Sequence, residues 1–402
     1  MARPARVLIL HDYAGARGGA EVIALDFRRL LEARGIETRL MTSNADPWDE
    51  ASAPDAVCNG GHDRLRPFRE AWNPSAASVL MRTIAEFRPD VVQIVMFLSQ
   101  LSPAVLPILA NVPTVYAINT YRIICPTGLR WRPGEGVCTL AAGRACGAAG
   151  CISTLGLPFR RLQLSFIHRW RGAIDRFVAP SQVMADLLAC HGFPSTDVVP
   201  HSVPRHLRIG GTADVPTAAF SGRLVPEKGT VWLLESFALA LKQVPEARLL
   251  MLGGGPDLGR LKSLAQMLGI AGQVVFTGHL PRAESQRLLE TAWVQVVPSL
   301  WAEPFGLVAA EALMRQTPVI ASDAGGPREI VDHGVTGWVV PTGDHGALSG
   351  ALTAALSDRK GSAALGRAGM KIAQRRYDED KWIDAYLAIY SEFPDRRPEV
   401  WA

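Results

Sequence analysis

Apolar residues fall in short runs separated by longer amphipathic stretches, and the two alternate along the whole chain. In the first half, the runs at 6–10, 38–41, 91–96, 114–118, 176–179 and 197–199 read as strands. In the second half, those at 218–221, 247–252, 273–276, 293–297, 318–321 and 337–339 do the same. Several are β-branched and apolar at consecutive positions, as strands buried on both faces are. Helical composition fills the intervals, for example at 21–34, 231–242, 257–268 and 285–292. Two successive βα arrays predict an α/β chain of two facing, Rossmann-like, doubly wound domains with a cleft between them. The expected division is an N-terminal domain 1–203, a linker 204–216 bearing Gly210-Gly211 and two prolines, a C-terminal domain 217–376, and a last segment 377–402.

Composition agrees with this layout. The chain has 402 residues, 48% hydrophobic and 20% charged, enough for two full cores. Its 42 Lys+Arg against 38 Asp+Glu leave +4, too balanced to argue for nucleic acid. The apolar run at 7–10 is short and is followed by His11 and Asp12, so no signal peptide is read there. No apolar run approaches the ~18 residues of a spanning helix. The expected place is therefore the cytoplasm, with the inner face of the membrane as a peripheral surface. That surface would be met by the arginine-rich stretch 159–177, which carries Arg160, Arg161, Arg169, Arg171 and Arg176 among apolar residues. A packed helix with a solvated arginine face is the other reading.

Four junctions carry candidate chemistry. Glu303 and Glu311 stand eight positions apart across a strand–loop–helix junction, in Pro298-Ser299-Leu300-Trp301-Ala302-Glu303-Pro304-Phe305-Gly306-Leu307 and the helix that follows. The backbone N–H groups of Phe305, Gly306 and Leu307 fall at a helix N-terminus, which favours an anion or polar ligand. The carboxylates can accept hydrogen bonds from sugar hydroxyls. Gly222-Arg223…Glu227-Lys228-Gly229 leaves a strand, and its guanidinium and ammonium can clamp a diphosphate. An ordinary solvated loop with a Glu227 ion pair is the alternative. Gly253-Gly254-Gly255-Pro256 follows another strand, and Gly15-Ala16-Arg17-Gly18-Gly19-Ala20 joins the first strand to its helix. Both suit close backbone approach to a ligand, or plain turns.

Cys125, Cys138, Cys146 and Cys151 lie close in sequence within or beside the Gly-, Ala- and Pro-rich stretch 128–150, read as a long loop. Four thiolates can close a zinc tetrahedron, and ordinary thiols are the other reading.

Together these motifs resemble the family 4 glycosyltransferases, retaining enzymes of the GT-B fold. The resemblance is strongest from 220 to 340, where Phe276-Thr277-Gly278, the E-x7-E pair and Gly325-Gly326-Pro327-Arg328-Glu329 follow in order. It implies that Arg223 and Lys228 hold the donor diphosphate and that Glu311 binds the ribose. Glu303, with the amides of Phe305, Gly306 and Leu307, would hold the donor sugar, and Gly278-His279-Leu280 would frame the base. Gly222 would share in donor binding, and Gly18 and Gly19 would approach the donor from the opposite wall. It also implies that the segment from 377, with Trp382, Tyr386 and Tyr390, crosses back to the N-terminal domain.

Many relatives carry a His-Asp pair six residues before a Cys-Pro. Here Asn119-Thr120 stands at that place before Cys125-Pro126, and asparagine takes up no proton near neutral pH. Asn119 can still hydrogen-bond a sugar hydroxyl, and a front-face reaction needs no base there. The implied activity is retaining transfer from a nucleotide sugar, UDP-sugar favoured over GDP-sugar, to a hydroxyl of a glycan, lipid-linked or small-molecule acceptor. No catalytic metal is implied, because fixed cations neutralise the leaving group. An epimerase of similar fold and a catalytically silent nucleotide-sugar binder are the rival readings.

Overall fold

The computed structural model describes residues 4–393, apart from Ala16, Arg17, Pro133, Pro194, Ser195, His206 and Thr212. The chain forms two compact units. The first holds 1–130, 139–201 and the residues from Asp380 onward; the second holds 131–138 and 202–379.

The first unit is built on a seven-stranded parallel sheet. Its strands are β1 (Arg6–Leu10), β2 (Glu37–Ser43), β3 (Ala56–Cys58), β4 (Val91–Ile94), β5 (Thr114–Ala117), β8 (Arg176–Ala179) and β9 (Thr196–Val198); the hairpin of β6 (Trp131–Arg132) and β7 (Gly136–Val137), which intervenes in sequence, falls in the second unit. The order is β3-β2-β1-β4-β5-β8-β9, so the winding reverses between β1 and β4. β4 and β5 are buried at every position, which is why their sequences are mainly apolar. At the reversal, Asp12 follows β1 and is fully buried. Its carboxylate accepts from the backbone N–H of Ser99, Gln100 and Leu101 at 2.8, 2.7 and 2.9 Å. Burial raises its pKa and those three donors pull it back. One side chain thus pins the loop after β4 to the end of β1.

The helix Glu379–Ser391 completes this core. Trp382 and Tyr386 pack on Phe27 with ring centroids 4.4 and 4.6 Å away. The Tyr390 hydroxyl donates to Gln93 Oε1 at 2.7 Å, and Arg34 pairs with Asp380 at 2.8 Å.

The second unit holds six parallel strands: β10 (Thr217–Ser221), β11 (Arg248–Leu252), β12 (Val274–Gly278), β13 (Val294–Val297), β14 (Val319–Ser322) and β15 (Gly337–Val340). Their order is β12-β11-β10-β13-β14-β15, again with a reversal, here between β10 and β13. The helix Thr230–Ala240 packs over this sheet with Trp232, Leu233, Leu234 and Phe237 buried.

All twelve strands expected from the sequence are present, with ends shifted by at most two residues. The strands not anticipated are β3, three residues at a sheet edge, and the two-residue β6 and β7, all too short to show a period. The stretch 128–150 is not a structureless loop: it holds the β6–β7 hairpin and the helix Arg144–Ala148. Residues 204–216, expected as a linker, lie within the second unit, where Gly210 N–H donates to Arg315 O at 2.6 Å. Of that stretch, His206 and Thr212 are outside the described residues.

His201, the last residue of the first unit before the crossing, is 4% exposed and stands edge-on to Trp382 at 6.5 Å. Burial alone pushes its pKa down to about 3. The unfolded chain takes up this proton near pH 6.5 and the folded chain refuses it, so stability is lost as pH falls below 6.5. The loss is about 1.4 kcal/mol per pH unit once the unfolded imidazole is fully protonated. His201→Gln should flatten the fall of Tm between pH 7.5 and 5. Parallel Tm curves for the two proteins would remove His201 as the source.

Candidate active site

The two loops that leave β10 and β13 emerge side by side, because these strands pair in parallel at the reversal of the second sheet. Ligands of open α/β sheets bind at such a place. The β10 loop passes through a 3₁₀ turn, Pro226–Lys228, and enters the helix Thr230–Ala240 at Gly229. Gly229 has φ +67°, and a Cβ there would lie 1.8 Å from the Pro298 carbonyl oxygen. Only glycine lets the loops touch at this point. Leu300 N–H then donates to Glu227 O at 2.9 Å and ties them together.

This contact brings Lys228 to Glu303. The ammonium donates to Glu303 Oε1 at 2.5 Å and lies 5.6 Å over the Trp301 ring. Ser299 Oγ donates to the same oxygen, and Ser299 is itself held by Ser322 Oγ, which donates to its carbonyl at 2.7 Å. Both donors meet Oε1. Among the described residues no group donates to Oε2, which is left as the open acceptor. Glu303 is only 5% exposed, and a buried carboxylate needs its cation and its hydroxyl. Its backbone is fixed from the β14 side. Gly326 N–H donates to Glu303 O at 2.7 Å, and a Cβ on Gly325, at φ +69°, would stand 2.4 Å from Glu303 N.

The helix Leu307–Met314 begins at Gly306, whose φ of +101° and missing side chain leave the first turn uncapped. Ala309 and Ala310 N–H both turn back to Gly306 O, so the first-turn donors of Leu307 and Val308 have no intrahelical acceptor. Phe305 contributes its ring to the core, edge-on to Tyr377 at 5.6 Å. One turn further on, Glu311 Oε1 accepts from Arg282 Nη2 at 3.0 Å. Arg282 opens the helix Arg282–Leu289, just past Gly278, His279 and Leu280. Gly278 O in turn accepts from Gly253 N–H at 3.1 Å, which joins the β11 and β12 loops.

Arg223 and Lys228 do not converge as a paired clamp in this structure. Arg223 projects into solvent, 69% exposed and 3.8 Å from Glu227, while Lys228 is committed to Glu303. Gly222 N–H donates to Leu252 O at 3.0 Å and holds the start of the loop against β11. Sequence reasoning missed Ser299 and Arg282. Neither carries a motif signal, since each acts through a partner that only the fold supplies.

Gly18, Gly19 and Asn119 belong to the first unit. Gly18 caps the helix Gly19–Glu32 in extended backbone, and the Glu21 carboxylate folds back to within 2.7 Å of where its Cβ would be. Ala16 and Arg17 of that turn lie outside the described residues. Asn119 spends its amide hydrogens on the strand-end carbonyls of Ala117 and Val95, at 2.9 and 3.2 Å. Its Oδ1 is buried and accepts no bond among the described residues.

Cys125, Cys138, Cys146 and Cys151 are not brought together as the zinc reading expected: among the described residues no three His, Cys, Asp or Glu side chains gather as a metal site. Cys125 Sγ faces Thr127 Oγ1 at 3.3 Å instead, and Cys146 is buried in its short helix.

Solved structures share this fold. Anabaena HepE in complex with UDP and glucose aligns with TM-score 0.71 at 20% identity, over 96% of this chain and 99% of that one. Sucrose-phosphate synthase from Thermosynechococcus elongatus aligns with TM-score 0.73 at 20% identity, over 96% and 98%. Among curated proteins, a GDP-mannose-dependent alpha-(1-6)-phosphatidylinositol monomannoside mannosyltransferase of Mycolicibacterium smegmatis is 35% identical over 178 residues, 43% of this chain. A D-inositol 3-phosphate glycosyltransferase of Xylanimonas cellulosilytica is 37% identical over 199 residues, 48% of this chain. The chain spans 45% and 46% of the lengths of those two relatives. The family models "Glycosyltransferase Family 4" and "Glycosyl transferases group 1" match residues 17–206 and 208–372, one on each half. With both halves matched and two Rossmann-like sheets in place, the chain belongs to the family 4 glycosyltransferases and has the GT-B fold.

Proposed function

We propose that this protein is a retaining glycosyltransferase that moves a sugar from a nucleotide-sugar donor to an acceptor hydroxyl without a catalytic metal. The observation that carries the reading is the Lys228–Glu303 pair beside an uncapped helix start. A departing nucleoside diphosphate is anionic, and Lys228, Arg223 and the first-turn N–H groups are the cations and dipoles that would meet it. Glu303 Oε2 would accept from a donor-sugar hydroxyl, and Glu311 from the ribose. Gly278, His279 and Leu280 would border the base. Asn119 cannot act as a base, so the acceptor's proton would leave with the phosphate. UDP-sugars come first as donors and GDP-sugars second. The relatives' names include both nucleotides, so a panel decides.

A peripheral contact with anionic membrane from the cytoplasmic side belongs to the same reading. No helix among the described residues is long and apolar enough to cross a membrane. Leu155, Phe68 and Leu162 are 85%, 56% and 46% exposed on or beside the arginine-bearing helix Leu157–Trp170, with Phe68 and Phe159 rings 4.4 Å apart.

Incubation with a panel of UDP- and GDP-sugars should release the nucleoside diphosphate from one of them, by transfer or slow hydrolysis, and the anomeric configuration should be kept by NMR. EDTA should leave the initial rate unchanged. No release from any donor would favour the silent binder, and activity restored only by Mg²⁺ or Mn²⁺ would refute the metal-free mechanism.

Lys228→Ala should lower kcat about a hundredfold, roughly 3 kcal/mol of leaving-group stabilisation. It should also lower Tm, because it strands the buried Glu303. The double variant Lys228→Ala/Glu303→Gln should recover Tm but not turnover. If turnover returned together with Tm, Lys228 would be a scaffold residue only.

A further inference from the structure

A second charge cluster lies in the first unit, apart from the residues discussed above. Glu70 is 3% exposed, on the helix Arg66–Ala71 that follows β3. Three guanidiniums surround its carboxylate: Arg66 Nε at 3.0 Å, Arg160 Nη2 at 2.5 Å and Arg122 Nη1 at 3.9 Å. Arg122 belongs to the turn Tyr121–Ile123 after β5, three residues beyond Asn119. Gln163 braces the cluster, donating to Glu70 O and Leu98 O at 2.6 and 2.8 Å and accepting from Arg160 Nη1 at 3.1 Å.

The charges do not balance. Asp12 is the other carboxylate that Arg122 feels, and its oxygens are already spent on three backbone N–H groups. Two carboxylates face three guanidiniums. Arg160 is held below its usual pKa, first by burial and then by repulsion from Arg122 and Arg66, against the pull of Glu70. Arg122 Nη1 makes no hydrogen bond among the described residues. A surplus positive charge at a half-buried place is unfavourable unless an anion joins it. The side chains of Arg66, Arg122 and Arg160 keep 34%, 19% and 18% exposure, so the cluster opens to solvent although Arg122 Nη1 itself is buried. They also stand beyond the carboxyl ends of β3 and β5, on the two sides of the β1/β4 reversal, the ligand-binding edge of such a sheet.

We propose that Arg66, Arg122 and Arg160 form a phosphoryl-binding subsite and that the acceptor carries the phosphate. Guanidinium forks match the oxygens of a phosphate in pairs, and three of them around one anion fix its position as well as its charge. Glu70 keeps them apart and oriented in its absence. This assignment of the acceptor class rests on the glycosyltransferase reading. The phosphoryl subsite itself does not, so the two can fail separately.

The test uses the full chain with a nucleoside diphosphate added to saturation, and two probes read by calorimetry or tryptophan fluorescence. Glycerol 3-phosphate represents a soluble monoester; phosphatidylglycerol vesicles, against phosphatidylcholine vesicles, represent a lipid headgroup. One probe should bind, and Arg122→Gln should weaken it at least tenfold with Tm preserved, since that side chain is the most distant from Glu70. Arg66→Gln provides a second variant. Loss confined to the monoester assigns a soluble acceptor, and loss confined to vesicles assigns a lipid one. Failure of both probes to bind the wild type, or wild-type affinity in both arginine variants, would overturn the subsite. Failure of the nucleoside diphosphate to bind would count only against the donor reading.

Discussion

The second unit depends on one buried ion pair. Glu303 has almost no contact with solvent, and the cost of burying its carboxylate is offset by Lys228 and Ser299, which both reach Oε1. Removing one partner of such a pair typically costs 3–5 kcal/mol, far more than the pair adds over an apolar replacement. The pair therefore dictates backbone. Lys228 reaches Glu303 only if the β10 and β13 loops touch, and they touch only where Gly229 has no side chain. The β14 loop must also press on Glu303, which the glycine at 325 permits.

The two sheets solve the same problem in different ways. Each reverses its winding once, and each places a carboxylate where the loops part. In the first unit Asp12 takes three backbone N–H bonds. Those bonds use both oxygens and the side chain is fully buried, so Asp12 is a clamp. In the second unit the donors to Glu303 are side chains that crowd a single oxygen and leave the other open. A carboxylate that is rigid and half-satisfied is what sugar recognition needs, because its remaining bond is pre-oriented and its desolvation has already occurred.

The sequence disclosed the strands because both sheets are parallel and their central strands are buried, which makes most of these strands short, mainly apolar runs. It disclosed the loop glycines and the two glutamates because these are local and ordered along the chain. It did not disclose who pairs with whom. Lys228 and Glu303 are 75 positions apart, and Arg282 and Glu311 are 29 apart. Arg160 reaches Glu70 across 90 positions, so the arginine-rich stretch read as a uniform basic surface in fact sends one residue inward. The cysteines show the opposite error. Closeness in sequence suggested closeness in space, but a hairpin and a helix separate the thiols, and the chain between them has its own structure.

The ion pairs of the second unit differ in how readily a ligand can rearrange them. Arg282–Glu311 and Arg223–Glu227 have arginines that are 50% and 69% exposed. Exposed pairs of this kind are worth about 0–1 kcal/mol, so releasing Glu311 from Arg282 or turning Arg223 toward an anion costs little. Lys228–Glu303, with side chains 19% and 7% exposed, is a different case. A ligand that pulled Lys228 away would have to replace its charge at once. A diphosphate cannot do so for Glu303, because like charges repel. Under the proposed function the economical arrangement would leave Lys228 where it is, with the carboxylate on one side and the leaving phosphate on the other, and the exposed arginines would be the groups that move to the ligand.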